Sequence, residues 1–95
     1  MDYKLLTQRY CMGYNFDYET LQDALNAFDE FVQRDDYWVD GVSVDGRMVI
    51  DHGIGELIID RSCVLGDDSA VLNDWIERYQ EDGCYDISFK EQDNG

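Results

Sequence analysis

Apolar and polar positions change rhythm along the chain, and each change marks an element. Residues 3 to 12, YKLLTQRYCM, are rich in strand formers and predict a first strand, closed by a break at Gly13-Tyr14-Asn15. In FDYETLQDALNAFDEFVQR the apolar positions Leu21, Ala24, Leu25, Phe28, Phe31 and Val32 recur at steps of three and four, which predicts an amphipathic helix. Asp17 can cap its start, or Thr20 can, with Asp23 three residues on as an approximate capping box.

The period then shortens. WVDGVSV and RMVID flank Asp45-Gly46, and an Asp-Gly pair between β-rich runs is the strongest short hairpin signal a sequence offers. That loop sets Val44 opposite Arg47 and Val42 opposite Val49. Gly53 and Gly55 end the ribbon, and ELIIDRSCVL supplies another strand from about Glu56, its Leu57-Ile58-Ile59 run favouring an interior place in the sheet. A second helix starts at Asp67, Asp68 or Ser69, all good caps. It carries Val71, Leu72, Trp75, Ile76 and Tyr79 on one stripe and stops at Gly83. The last strand, CYDISFK, alternates: Tyr85, Ile87 and Phe89 point inward, Asp86, Ser88 and Lys90 outward.

The element order is β-α-β-β-(β)-α-β. It predicts an α+β domain with two helices packed on one face of a mostly antiparallel, four- to five-stranded sheet, the ferredoxin-like arrangement being one candidate. At 95 residues the chain fits one domain and buries roughly 60 to 65% of the surface its unfolded form exposes. There is no repeat, no low-complexity tract and no Pro, and only the tail from Lys90, KEQDNG, reads as frayed.

Composition changes this picture through charge. The chain is 44% hydrophobic and 14% aromatic, too apolar to stay disordered, yet 22 Asp and Glu face 7 Lys and Arg for a net charge of −15. A small domain usually carries a magnitude of about 2 to 8. So negative a field costs stability by self-repulsion, repels nucleic acid and anionic lipid, and steers basic protein surfaces inward. The opening MDYKLLTQRY lacks the form of a signal peptide, and apolar runs stop at about three residues, as in Leu57-Ile58-Ile59, so neither export nor a membrane span is expected. Cys11, Cys63 and Cys84 are an odd set without CxxC spacing, which predicts reduced core or half-buried thiols rather than a disulfide framework or a zinc site.

Candidate chemistry is sparse. His52, in VIDHGIG, reads as an exposed turn histidine, and a general base there would need Asp51 or Glu56 beside it. DGVSVDG puts valines and a serine where a calcium loop needs ligands, and no phosphate-cradling loop is present, so neither a metal nor a cofactor is expected. The acids say more. Glu19, Asp23 and Glu30 fall on one face of the first helix with Asp29 beside them, and no Lys or Arg in the helix body offsets their repulsion. Asp35, Asp36 and Asp40, in DDYWVD, extend the same negative region around Tyr37 and Trp38. Aromatic anchors inside a charged rim are typical of binding hot spots. Trp38 shares strand parity with Val42 and Val44, which predicts it buried and Tyr37 exposed. The second helix adds Asp74, Glu77, Glu81 and Asp82, softened by Arg78.

In size, acidity, aromatic content and lack of a catalytic motif, the chain resembles the small phage- and plasmid-encoded anti-CRISPR and anti-restriction proteins, many of which resemble DNA in charge. A local likeness, WIERYQEDGCYDISF at residues 75 to 89, is similar to the end of the barstar family, acidic intracellular inhibitors of a basic ribonuclease. Upstream, the Asp45-Gly46 hairpin stands where that family has helices. These resemblances imply a non-enzymatic, cytoplasmic inhibitor that mimics nucleic acid and covers the basic site of a nuclease or CRISPR effector, or an immunity protein against a nuclease toxin. The expected contact set is Glu19, Asp23, Asp29, Glu30, Asp35, Asp36 and Asp40 with Tyr37 as anchor. No direct contact with nucleic acid or membrane is expected. The competing reading is an adaptor or homodimerising module that pairs through an edge strand such as CYDISFK.

Overall fold

Thr20 starts the first helix as its position predicts. In the computed structural model, which describes residues 1–90, the Thr20 hydroxyl accepts the Asp23 amide at 3.1 Å. Helix α1 (Leu21–Phe31) buries Leu21, Ala24, Leu25, Ala27 and Phe28. Helix α2 (Asp67–Asp82) ends at Gly83, whose left-handed backbone, φ 69°, lets its amide bond the Tyr79 carbonyl. It starts at Asp67, one of the expected positions, but the cap position is Gly66 and no side chain caps it. Asp67 and Asp68 lie inside the first turn, where the helix dipole favours them, and the Asp68 carboxylate is engaged by the Tyr3 hydroxyl.

Six strands form one sheet in the order β2-β1-β3-β4-β5-β6. They are β1 (Tyr3–Arg9), β2 (Met12–Tyr18), β3 (Trp38–Val44), β4 (Arg47–Gly53), β5 (Glu56–Ile59) and β6 (Asp86–Phe89). Every pair is antiparallel except β5 with β6, which the α2 crossover makes parallel. The two helices pack on this mostly antiparallel sheet, an α+β fold with more strands than the four or five expected. The ferredoxin-like candidate falls, because β1 and β3 are antiparallel neighbours.

The additional strand comes from the expected break. Gly13-Tyr14-Asn15 lies inside β2, and the chain reverses earlier, at Tyr10-Cys11, with φ of 52° and 63°. Two consecutive left-handed residues are what a tight hairpin needs, and neither is a usual turn residue. The Asp45-Gly46 turn forms as expected, with Val44 opposite Arg47. Beyond it Val49 is an extra residue in β4, so Val42 faces Ile50 and not Val49.

A second irregularity decides which side chains enter the core. Leu6 pairs with Gly41 and Thr7 with Val39, which leaves Asp40 as the extra residue and flips the parity of β3. Val39, Val42 and Val44 therefore all point inward. They meet Leu5, Ile50, Leu57 and Ile59 from the sheet and Leu25, Phe28, Leu72, Trp75 and Ile76 from the helices. Each large apolar side chain so buried contributes about 1.5–3 kcal/mol before the entropy of ordering it. β5 is an interior strand, and Ile87 and Phe89 of β6 face the core, both as expected. Of the thiols only Cys63 is half-buried. Cys11 and Cys84 are exposed, the first because it sits in the hairpin turn. The Lys90 amide still bonds Ile59 O at 2.8 Å, while the rest of the tail lies outside the described residues.

Candidate functional site

Because both helices cover the same face of the sheet, their outer surfaces form one layer. α1 brings Asp23, Asp29 and Glu30, and α2 brings Asp67, Asp68, Asp74, Glu77, Glu81 and Asp82. Arg78 is the only cation in either helix. Several of these acids stand where the fold is worse off for them. Glu30 occupies the last turn of α1, Glu81 and Asp82 that of α2, and neither turn holds a basic residue. A carboxylate at a helix C-terminus opposes the dipole at roughly 0.3–1 kcal/mol, lessened by salt.

The helices are joined by one of the acids expected to face a partner. Asp29 Oδ1 accepts the indole N–H of Trp75 at 2.9 Å and the hydroxyl of Tyr79 at 2.6 Å, while Oδ2 lies 3.5 Å from Arg78. Burial and this hydrogen bond push the Tyr79 hydroxyl far above the usual phenol range, so it keeps its proton and donates. Asp29 thus acts inward, as a clamp between α1 and α2.

The other expected site residues separate into three places. Glu19, Asp23 and Glu30 are exposed on and beside α1, and Asp35 is exposed in the following loop. No ion pair engages these four among the described residues. Asp36 is held in a two-point contact by Arg34 at 2.9 and 2.7 Å, which lowers its carboxyl below the usual range. Asp40 accepts Gln8 Nε2 at 2.9 Å. Gln8 alternates with buried Thr7, so Asp40 lies on the open face of the sheet, away from the helices.

Tyr37 and Trp38 exchange the roles expected of them. Tyr37 is half-buried against Phe31, Phe16 and Tyr14, with the Arg9 and Arg34 guanidinium groups 5.3 and 4.9 Å from its ring centre. Trp38 is 41% exposed. The parity argument fails there because the Asp40 bulge intervenes between Trp38 and Val42. Trp38 instead lies over the His52 ring at 4.7 Å. Arg9, Tyr10, Cys11, Tyr37 and Trp38 line an open groove of about 630 Å³ together with Arg34, Asp35 and Asp36, so its two cations stand beside two carboxylates.

His52 is not an exposed turn residue. It sits in β4, half-buried, with Nδ1 2.6 Å from the Val39 carbonyl and Nε2 3.1 Å from the Tyr85 hydroxyl. The carbonyl can only accept, so Nδ1 carries the proton. The ring packs against Phe28, Trp38 and Tyr85 and extends the core, with neither Asp51 nor Glu56 bonded to it.

Among the described residues no group of three His, Cys, Asp or Glu is placed to hold a metal ion, and no helix is long and apolar enough to cross a membrane. What the arrangement offers chemically is a two-helix acidic face. Sequence reasoning centred the site on α1 and the loop after it. The acids of α2 were visible, but only the packing of α2 beside α1 makes them part of one surface. Comparison with protein-family models, curated proteins and solved structures finds no match for the chain.

Proposed function

We propose that this protein is a stoichiometric inhibitor that presents its acidic helical layer to a basic surface of a nucleic-acid enzyme, a nuclease or CRISPR effector, and keeps nucleic acid off it. The observation that supports this most is the gathering of Asp23, Glu30, Asp74, Glu77 and Glu81 on the outer side of two adjacent helices with Arg78 as their only cation. Two of the five, Glu30 and Glu81, stand at helix C-termini, where they weaken the fold, whereas solubility alone is served by acids anywhere on the surface. A row of carboxylates matches lysines and arginines that otherwise contact backbone phosphates. Such complementarity raises association rates by about 10 to 10³-fold at low salt.

The reading shifts the expected contact set toward α2. Glu19, Asp23, Glu30 and Asp35 stay in it, and Asp74, Glu77, Glu81 and Asp82 join them. Asp29 serves the fold, and Asp40 faces away. The test is capture with the tagged protein from lysates containing CRISPR and restriction complexes, eluted on a salt gradient. Recovery of one nucleic-acid-binding complex, released by salt and displaced by its own DNA or RNA, is the expected outcome. Recovery of only salt-resistant partners without affinity for nucleic acid would sink the proposal.

A further inference from the structure

Residues 3 to 16, YKLLTQRYCMGYNF, contain no Asp or Glu, in a chain that has 22 of them, and they do contain Lys4 and Arg9. The fold places this stretch in β1 and β2, at one edge of the sheet. β2 is a regular seven-residue strand, without a bulge or proline, that among the described residues is paired on one side only. Natural proteins usually block such an edge with charge, a bulge or a covering loop. Here Met12 and Tyr14 stand beside it at 61% and 40% exposure.

The polarity of that edge follows from the hairpin. The two-residue turn makes Arg9 and Met12 the closing pair, so residues 12, 14, 16 and 18 direct their backbone groups to β1. Gly13, Asn15 and Asp17 direct theirs outward. We infer that β2 is a homodimerisation strand, pairing antiparallel with β2 of a second copy about a two-fold axis at Asn15.

This register matches side chains as well as backbone. Residue 13 meets residue 17 of the other copy, so Asp17 faces glycine, and its charge is already met by Lys4 Nζ at 2.6 Å. On the helix side Tyr14 meets Phe16 and Met12 meets Tyr18, aromatic and thioether pairs that stabilise adjacent strands. A second copy is favoured as occupant because two chains of charge −15 can approach only where acids are missing. The inference does not rest on the inhibitor reading, and salt separates the two. Screening strengthens contact between like-charged copies and weakens a complex between an acidic layer and a basic partner.

The experiment is sedimentation equilibrium of the full chain at low salt and at about 1 M salt, where the screening length is about 3 Å. The wild type is expected to dimerise, more tightly at high salt. Asn15→Pro removes an outward amide that no strand among the described residues uses, and it is expected to weaken the dimer about tenfold or more. Should that variant fail to fold by circular dichroism, Tyr14→Lys, an exposed position, is expected to do the same by setting a charge against Phe16 of the other copy. A wild type that stays monomeric at high salt and high concentration would overturn the inference. So would a dimer indifferent to the folded variant.

Discussion

Replacing Asp29 by alanine separates the structure's account of this residue from the one its sequence position suggests. The change deprives the indole N–H of Trp75, a side chain 1% exposed, of its acceptor, and it releases Tyr79 and Arg78. Hydrogen bonds to a charged acceptor contribute about 1.5–3 kcal/mol, and a buried donor left alone costs about 1–3 kcal/mol. Removing a carboxylate from the last turn of α1 returns about 0.3–1 kcal/mol. The net loss is about 3 kcal/mol, from a total that a domain this size holds at roughly 5–14 kcal/mol. Thermal unfolding followed by circular dichroism should show Tm lower by about 12–24 °C. Asp29→Asn, which keeps one acceptor oxygen in place, should lose only about a third as much. A partner-contacting acid would behave in the opposite way, losing binding at unchanged Tm. An alanine variant as stable as wild type would refute the clamp, and so would asparagine and alanine losing equally.

Three further outcomes follow from the same structure. Gly41→Ala should destabilise by about 3 kcal/mol or more, because a Cβ there would stand 1.9 Å from Ile50 O across the β3–β4 ladder; urea midpoints measure it, and an unchanged midpoint would refute so close an approach of the two strands. The Tyr3 phenol is pushed up to about 12, first by its hydrogen bond to Asp68 and then by burial. A folded value above the unfolded one gives stability that is whole below pH 10 and lost as pH rises from there toward 12, so Tyr3→Phe should flatten the fall of Tm across that window. Added sodium chloride should raise the wild-type Tm by screening the charge of −15, and a flat response would show that the carboxylates do not strain the fold.

The helices were legible because their evidence is local. Leu21 to Val32 repeats at helical spacing, Thr20 is a good cap, and Gly83 can turn left-handed without penalty. Asp45-Gly46 was legible for the same reason. The Tyr10-Cys11 turn was not, because neither residue favours positive φ and Gly13, two positions on, offered a better local turn that the chain does not take. The sheet's partners impose the reversal there. The fate of Trp38 was hidden for a second reason. Period-two reasoning assumes an unbroken strand, and one inserted residue at Asp40 reverses every assignment upstream of it. At the candidate site, charge was legible and its use was not. Nothing local distinguishes Asp29, which turns inward to Trp75, from Glu30 beside it, which faces solvent. The distinction comes from a residue 46 positions away.

The most direct test of the acidic layer compares the wild type with one fourfold variant, Asp23→Asn, Glu30→Gln, Glu77→Gln and Glu81→Gln, all exposed and outside the Asp29 clamp. Association rates with the captured nucleic-acid enzyme would be measured over a range of salt. The layer predicts a slower rate for the variant at low salt and a shallower dependence on salt, with the Tm held or raised. The same rate and the same salt slope in both proteins would contradict it.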